Sequence, residues 1–296
     1  MKKLVLFLIS SCVTLAAGAQ GVPSLLIGAD PQGLAMGSAT IARGADAFAL
    51  DNNAAAMSLS DKEFAVAASY GIWAPGTAGS TLASVGTWYR LGDKFALGLS
   101  GKMLQDKPYD ITSPTGQISG TFSPYDILGG LGASYAVTES ISLGVTGRFV
   151  SSAIADNMKG SAFGADISAM YSSGALSAGL GLCNVGSSIS YGGASYSLPM
   201  LVRGGGAYST GAFTASAEVD YLLSGALMAG LGAEYCVADI VSVRAGYHYG
   251  DAAKAVPSYL SLGLGAEFAG VSLDLAYLTA SETLGNTVLF GIGFSF

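Results

Sequence analysis

Few residues in this chain have the makings of chemistry. There is one histidine, His248, set between Tyr247 and Tyr249, and there are three cysteines, Cys12, Cys183 and Cys236. Nucleophilic catalysis needs a base within reach of a hydroxyl or thiol, and no serine here sits in a nucleophile-elbow pattern. One imidazole and two scattered thiols are too few for a zinc cluster. The run "GLGLCNVG", residues 179–186, mimics a dinucleotide fingerprint, but no strand–turn–helix context follows it. Catalysis is therefore not expected, and no cofactor or metal is implied. Cys183 and Cys236 pair only if the fold brings them together; otherwise they are small thiols packed in strands.

What remains is a set of charges with a regular placement. In 93–103, Phe95, Leu97, Leu99 and Met103 share one parity while Ser100 and Lys102 take the other. In 140–150, Ile141, Leu143, Val145 and Phe149 oppose Thr146 and Arg148. The same opposition sets Asp166 against Phe163 and Ile167, and Glu218 and Asp220 against Val219 and Tyr221. It sets Glu234 against Tyr235, Arg244 and His248 against Val243 and Tyr247, Glu267 against Phe268, and Asp274 against Leu273 and Leu275. Alternation of this kind is the signature of strands, whose successive side chains point to opposite faces. The apolar face ends in Tyr or Phe, as lipid-facing bands do at the two interfaces.

The charged residues are thus placed on the inner face of a barrel. Lys102, Arg148, Arg203, Arg244 and His248 share that interior with Asp166, Glu218, Asp220, Glu234, Glu267 and Asp274. A mutually paired network is the first reading, because unpaired charges there would be costly; a substrate path is the sharper one. Arg203 precedes Glu218 and Asp220 by one strand, which makes direct cross-strand pairing an expectation.

Composition agrees with a wall facing lipid. Charged residues make up 11% of the 296 residues, against roughly 25% in soluble domains. The formal charge is −7, so no nucleic-acid partner is expected. From Ile167 to Val202 no residue is charged, yet Gly or Ser recurs every two or three positions and argues against a transmembrane helix. Fourteen strands are expected, near 62–72, 80–91, 93–103, 124–137, 140–151, 159–172, 174–184, 199–210, 211–222, 226–236, 239–249, 256–269, 270–278 and 286–296. The fold class is all-β, a transmembrane antiparallel barrel whose closure leaves no sheet edge in lipid. The last strand places Phe290, Ile292, Phe294 and the terminal Phe296 on the lipid side, and it must pair back to the first.

Three regions follow: 1–19, 20–60 and 61–296. The first reads as a secretory signal, with Lys2 and Lys3, an apolar stretch, and Ala17-Gly18-Ala19 before Gln20. A lipobox ending at Cys12 is the rival reading. The second lacks alternation and carries helix signals, Asp30-Pro31 as a cap and first position, and Asn52 or Asn53 as a cap for "AAAM". It is expected to lie as a plug inside or under the barrel, and the third region is the barrel itself. Insertions at 104–123 and 185–198 are the longest expected non-strand stretches, where a partner or substrate would be met.

Several blocks resemble the PorV/PorQ group of Bacteroidetes outer-membrane barrels, relatives of the FadL fatty-acid transporters. They are "GLAMGSATIARGADAFALDNNAAAMSLS" (33–60), "LGLCNVGSSISYGGASYSLPMLVRGGGAY" (180–208), "GLGAEYCVADIVSVRAGYHYGD" (230–251) and "LGNTVLFGIGFSF" (284–296). The resemblance implies a FadL-like barrel of fourteen strands with an N-terminal segment inside. It also implies recognition of the terminal phenylalanine by the barrel-assembly machinery, insertion into outer-membrane lipid, and service to type IX secretion. Partners would be secretion-system components or secreted cargo; under the FadL alternative, a fatty acid or other hydrophobic ligand. In that alternative Leu34, Met36, Phe48 and Leu50 would line an apolar pocket beside the N-terminal turn at Asn52 and Asn53. Two departures stand out: Asn53 is followed by Ala54 rather than proline, and the chain is shorter than cargo-carrying members.

Overall fold

A computed structural model describes residues 20–296; the expected signal segment and the Cys12 lipobox lie outside the described residues. The strands, in chain order, are β1 (Phe64–Trp73), β2 (Ser80–Leu91), β3 (Phe95–Gln105), β4 (Tyr109–Thr112), β5 (Ile118–Phe122), β6 (Tyr125–Ala136), β7 (Ile141–Ala155), β8 (Met158–Ser173) and β9 (Leu176–Gly186). They continue with β10 (Ile189–Tyr191), β11 (Ala194–Tyr196), β12 (Leu201–Thr210), β13 (Phe213–Leu222), β14 (Ala226–Val237), β15 (Val241–Gly250), β16 (Tyr259–Phe268), β17 (Val271–Thr279) and β18 (Thr287–Ser295). Fourteen of them close into one antiparallel barrel, each paired with its neighbour along the wall, and β18 seals against β1. Each of the fourteen falls on one of the windows expected from alternation.

The two-residue period is visible in the burial of most barrel strands. In β3, Phe95, Leu97 and Leu99 are exposed while Ala96, Gly98 and Ser100 are buried. Leu131, Ile167 and Leu180 are 60–66% exposed because they face outward, where lipid replaces a protein core. The insertions expected to lack strands are the one correction at this level. Residues 104–123 hold the hairpin β4–β5, and 185–198 hold the hairpin β10–β11. Each is only three to five residues per strand, too short for the alternation to register in sequence.

The two rims differ. At the end carrying Phe296, the turns between strands run two to four residues, as at 92–94 and 269–270; at the other end the connections reach 106–124 and 187–200. Short turns mark the periplasmic side of such barrels and long ones the extracellular side. The extracellular wall is also uneven, since β7 and β8 are the longest strands at 15 and 16 residues. The β4–β5 hairpin leans on their tip, where the Tyr109 hydroxyl donates to the Ile154 carbonyl at 2.7 Å.

The seam gives Phe296 a structural role. Phe296 donates its N–H to the Phe64 carbonyl, its own carbonyl accepts from Glu63 and Phe64, and the two rings lie 5.5 Å apart. Deleting Phe296 removes three backbone bonds worth about 0.5–1.5 kcal/mol each, so assembly is expected to slow. Heat-modifiable gel migration of the newly made barrel would report it. Phe296→Leu keeps the backbone bonds and should assemble far closer to wild type; equal defects in both variants would contradict a role for the seam.

Candidate functional site

The lumen is occupied by the chain's own first forty-one described residues, 20–60. Segment 20–60 enters at the extracellular mouth, where Gly21 N–H bonds to the Ser197 carbonyl at 2.9 Å and Gln20 to the Ser224 hydroxyl at 2.6 Å. It then descends to the periplasmic end and joins β1. Two short helices break the descent, α1 (Pro31–Ala35) and α2 (Ala49–Asn53). Asp30 caps α1 by accepting from the Gln32 and Gly33 amides at 2.8 Å each, with Pro31 at the first position. Asn53 caps the following 3₁₀ turn (Ala54–Leu59) through the Ala55 amide at 3.0 Å. Of the two asparagines considered as caps, Asn53 does the capping.

An irregular backbone inside a membrane protein must find its hydrogen-bond partners within the protein. Here serines on the inner wall supply them. Ser69, Ser177 and Ser261 donate to the carbonyls of Ala29, Ala42 and Ala35 at 2.7, 2.6 and 2.9 Å, and Ser142 to that of Ala55 at 2.5 Å. Trp88 donates its indole N–H to the Asp46 carbonyl at 2.6 Å. Wall glycines bring the two backbones together: a Cβ at Gly144, Gly179, Gly205, Gly230, Gly232 or Gly246 would sit closer than 3.0 Å to plug atoms.

The lumenal charges form three clusters, each built on an arginine. Arg148 on β7 bonds Asp166 on β8 at 2.6 Å and Asp51 of α2 at 2.7 Å. Arg203 on β12 bonds Glu218 on β13 at 2.6 Å, with Asp220 at 3.5 Å. Its guanidinium also donates to the Asn52 carbonyl and the Thr40 hydroxyl at 2.9 Å each. Glu218 meanwhile accepts the plug amides of Thr40 and Ile41 at 2.5 and 2.8 Å. Arg244 on β15 bonds Glu234 on β14 and Asp274 on β17, the latter at 2.6 Å. Lys102 has no carboxylate partner; its ammonium donates to the Ser24 and Ile27 carbonyls at 2.9 and 2.6 Å, holding the entering arm. His248 is buried, stacked on Tyr259 with centroids 4.9 Å apart, and its Nδ1 lies 3.3 Å from the Gly37 carbonyl.

Two expectations need correction. Glu267 stands apart from the clusters: it lies at the periplasmic rim, 54% exposed at its side chain, and pairs with Lys62 at 3.0 Å. It shares the inward parity but belongs to the last turn of β16, beyond the plug. The four apolar residues expected around one pocket are also dispersed. Leu34 borders a lumenal cavity and Phe48 the periplasmic mouth, while Met36 and Leu50 are packed against wall glycines. Asn52 borders the lumenal cavity too. Phe290, Ile292, Phe294 and Phe296 are 42–60% exposed on the outer wall. Cys183 and Cys236 are unpaired.

Sequence reading missed Asp51, Arg43 and the wall serines, while Asp30 was read as the cap it is. Asp51 and Arg43 lie in the segment without alternation, so no parity signal marked them. The serines did share the inward parity with glycine, and that was the only available sign.

Spaces remain around the plug among the described residues. The lumenal cavity holds about 100 Å³ between Lys102, Arg148, Asp220 and His248, room for about three waters. A cleft of about 370 Å³ opens at the extracellular mouth between the entering arm and the tall side of the wall. Its surface is mainly apolar, from Val22, Ile27, Leu104, Tyr191 and Tyr196, with Asp106 and Asp126 beside them. A vestibule of about 400 Å³ opens on the periplasmic side.

A closed, lipid-banded barrel filled by its own N-terminal segment is a plugged outer-membrane β-barrel. Solved structures with this fold include the toluene transporter TodX of Pseudomonas putida, TM-score 0.65 at 14% identity over 91% of this chain and 97% of that one. The toluene transporter TbuX of Ralstonia pickettii gives 0.62 at 14% identity over 91% and 98%. A FadL homologue of Pseudomonas aeruginosa gives 0.58 at 15% identity over 94% and 97%. A search of curated protein sequences finds no match. The chain belongs to the PorV family: the family model described as type IX secretion system protein PorV matches residues 14–221.

Proposed function

We propose that this protein is a non-enzymatic accessory of protein export at the outer membrane, holding a secretion component or secreted cargo at its extracellular rim. The filled lumen is the observation that carries this reading. Wall serines, wall glycines and three arginine clusters all engage the plug, and the cavity left beside it is about 100 Å³. A barrel of this kind offers its rim and outer wall to partners rather than its bore. Membership in the PorV family supports the same reading. The uneven extracellular wall is consistent with it, with the cleft of about 370 Å³ beside the tip of the β7–β8 hairpin.

The second reading is passage of hydrophobic small molecules. The apolar lining of that cleft, next to the arm that enters the lumen, favours it, and so does the likeness in fold to barrels described as toluene transporters. The two readings part in one experiment. Tagged protein is purified from outer membranes in mild detergent and its companions are identified by mass spectrometry. Recovery of a large secretion barrel or of secreted cargo is the expected result. Recovery of the barrel alone, carrying a fatty acid or another lipid, would favour transport.

A further inference from the structure

The extracellular cleft carries a charge pattern that neither reading uses. Of the side chains lining its space of about 370 Å³, two are carboxylates, Asp106 and Asp126, and none is basic. Asp126 lies opposite Leu104 across β3 and β6, and opposite Ser152 across β6 and β7. Asp106 follows Leu104 by two residues, which sets the two carboxylates diagonally, about 7–8 Å apart at their Cα atoms. The Ser80 hydroxyl donates to Asp106. Among the described residues Asp126 takes part in no ion pair and its side chain accepts no hydrogen bond. It is only half-buried, so its charge is open to the cleft. Lys102, one row deeper in the wall, turns its ammonium to the Ser24 and Ile27 carbonyls instead, at 2.9 and 2.6 Å.

An unpaired carboxylate beside apolar side chains is a cost to the fold that a cationic occupant would offset. The rest of the lining narrows the choice. A fatty-acid carboxylate would meet two like charges and no base. An inorganic cation would keep its water and gain nothing from Val22, Ile27, Leu104 and Tyr196, and no group of three His, Cys, Asp or Glu among the described residues is placed to hold one. A cation carried on an apolar body answers both surfaces. Its hydrocarbon packs against those side chains and its charge faces Asp126 and Asp106. Tyr191 and Tyr196, with ring centroids 5.9 Å apart, add aromatic surface that favours a cation. The volume is that of a small-molecule site, for which about 300–1,000 Å³ is usual. We propose that the extracellular cleft binds a small organic cation, an aryl- or alkylammonium, and rejects anions of the same size. The inference concerns the cleft alone and stands whether the rim serves export or passage.

Isothermal titration of the purified protein in nonionic detergent with benzyltrimethylammonium tests it, with phenylacetate as an anion of similar size. Saturable binding of the cation, weakened by salt, is expected, and no binding of phenylacetate. Asp126→Asn removes a charge that has no partner, so barrel migration should stay heat-modifiable while binding weakens. A partly exposed ion pair is worth a factor of about two to five, so the double variant Asp106→Asn, Asp126→Asn should bind about tenfold more weakly. Asp110→Asn, on β4 and outside the cleft, should leave affinity unchanged. Absence of saturable binding, equal binding of phenylacetate, or unchanged affinity in the double variant would each overturn the proposal. So would tighter binding of N-acetyl-lysine amide than of benzyltrimethylammonium, since the occupant would then be a protein side chain. None of these readouts depends on which proteins co-purify with the barrel.

Discussion

Glu218→Ala is expected to unseat the plug while leaving the barrel closed. The Glu218 carboxylate accepts the amides of Thr40 and Ile41 and the guanidinium of Arg203. Arg203 would not be orphaned by the change, because Asp220 stands 3.5 Å away. The two plug amides would be, and each buried unsatisfied group costs about 1–3 kcal/mol. Proteolysis of segment 20–60 should therefore quicken at least tenfold, and ion conductance should appear in planar bilayers. Barrel migration on gels should stay heat-modifiable. Glu218→Gln keeps one acceptor oxygen and should show a weaker form of the same behaviour, and Asp220→Asn weaker still. Protection equal to wild type in Glu218→Ala would mean that the plug is held by shape alone.

Shape is the subject of the second large effect. Gly246→Val places a branched side chain against the Gly37 amide and the Met36 carbonyl carbon, where even a lone Cβ would collide. Both colliding groups are backbone, so no side chain can swing aside. Added volume in a packed interior costs about 1–3 kcal/mol, and here it falls on one of the tightest approaches between wall and plug. The expected outcome is a folded barrel with a displaced plug and open conductance. Gly147 is the control: it faces outward, and its nearest neighbour would be the Leu131 carbonyl oxygen at 3.8 Å from a new Cβ. Gly147→Val should leave the plug protected. If both variants behave alike, the effect comes from strand flexibility rather than from collision.

How much of this was legible in the sequence differs by region. The wall was, because a lipid-facing strand must alternate and the alternation survives in nearly every window, as in Phe95, Leu97 and Leu99. The three arginine clusters were legible in part. Arg203 with Glu218 follows from one strand succeeding another, whereas Arg148 with Asp51 joins wall to plug across 97 positions. No local pattern encodes such a contact, since Asp51 sits in a five-residue helix chosen to fit the bore. Glu267 misled because parity tells which face a residue takes but not its height along the barrel. Met36, Phe48 and Leu50 misled for a related reason: their apolar character belongs to packing against wall glycines, and a glycine carries no sign of what it will touch; Leu34 packs instead in an apolar cluster with Trp73 and Leu82. The two small hairpins at the extracellular rim escaped notice through shortness alone.

On the function proposed above, this barrel works at its extracellular rim with its lumen closed. A photo-crosslinking residue at Tyr191, in the extracellular cleft, irradiated in intact cells, tests this. The expected result is capture of a protein, a secretion component or secreted cargo, with no such product from the same probe at Leu131 on the lipid face. Capture of lipid or fatty acid at Tyr191, with no protein adduct, would contradict it.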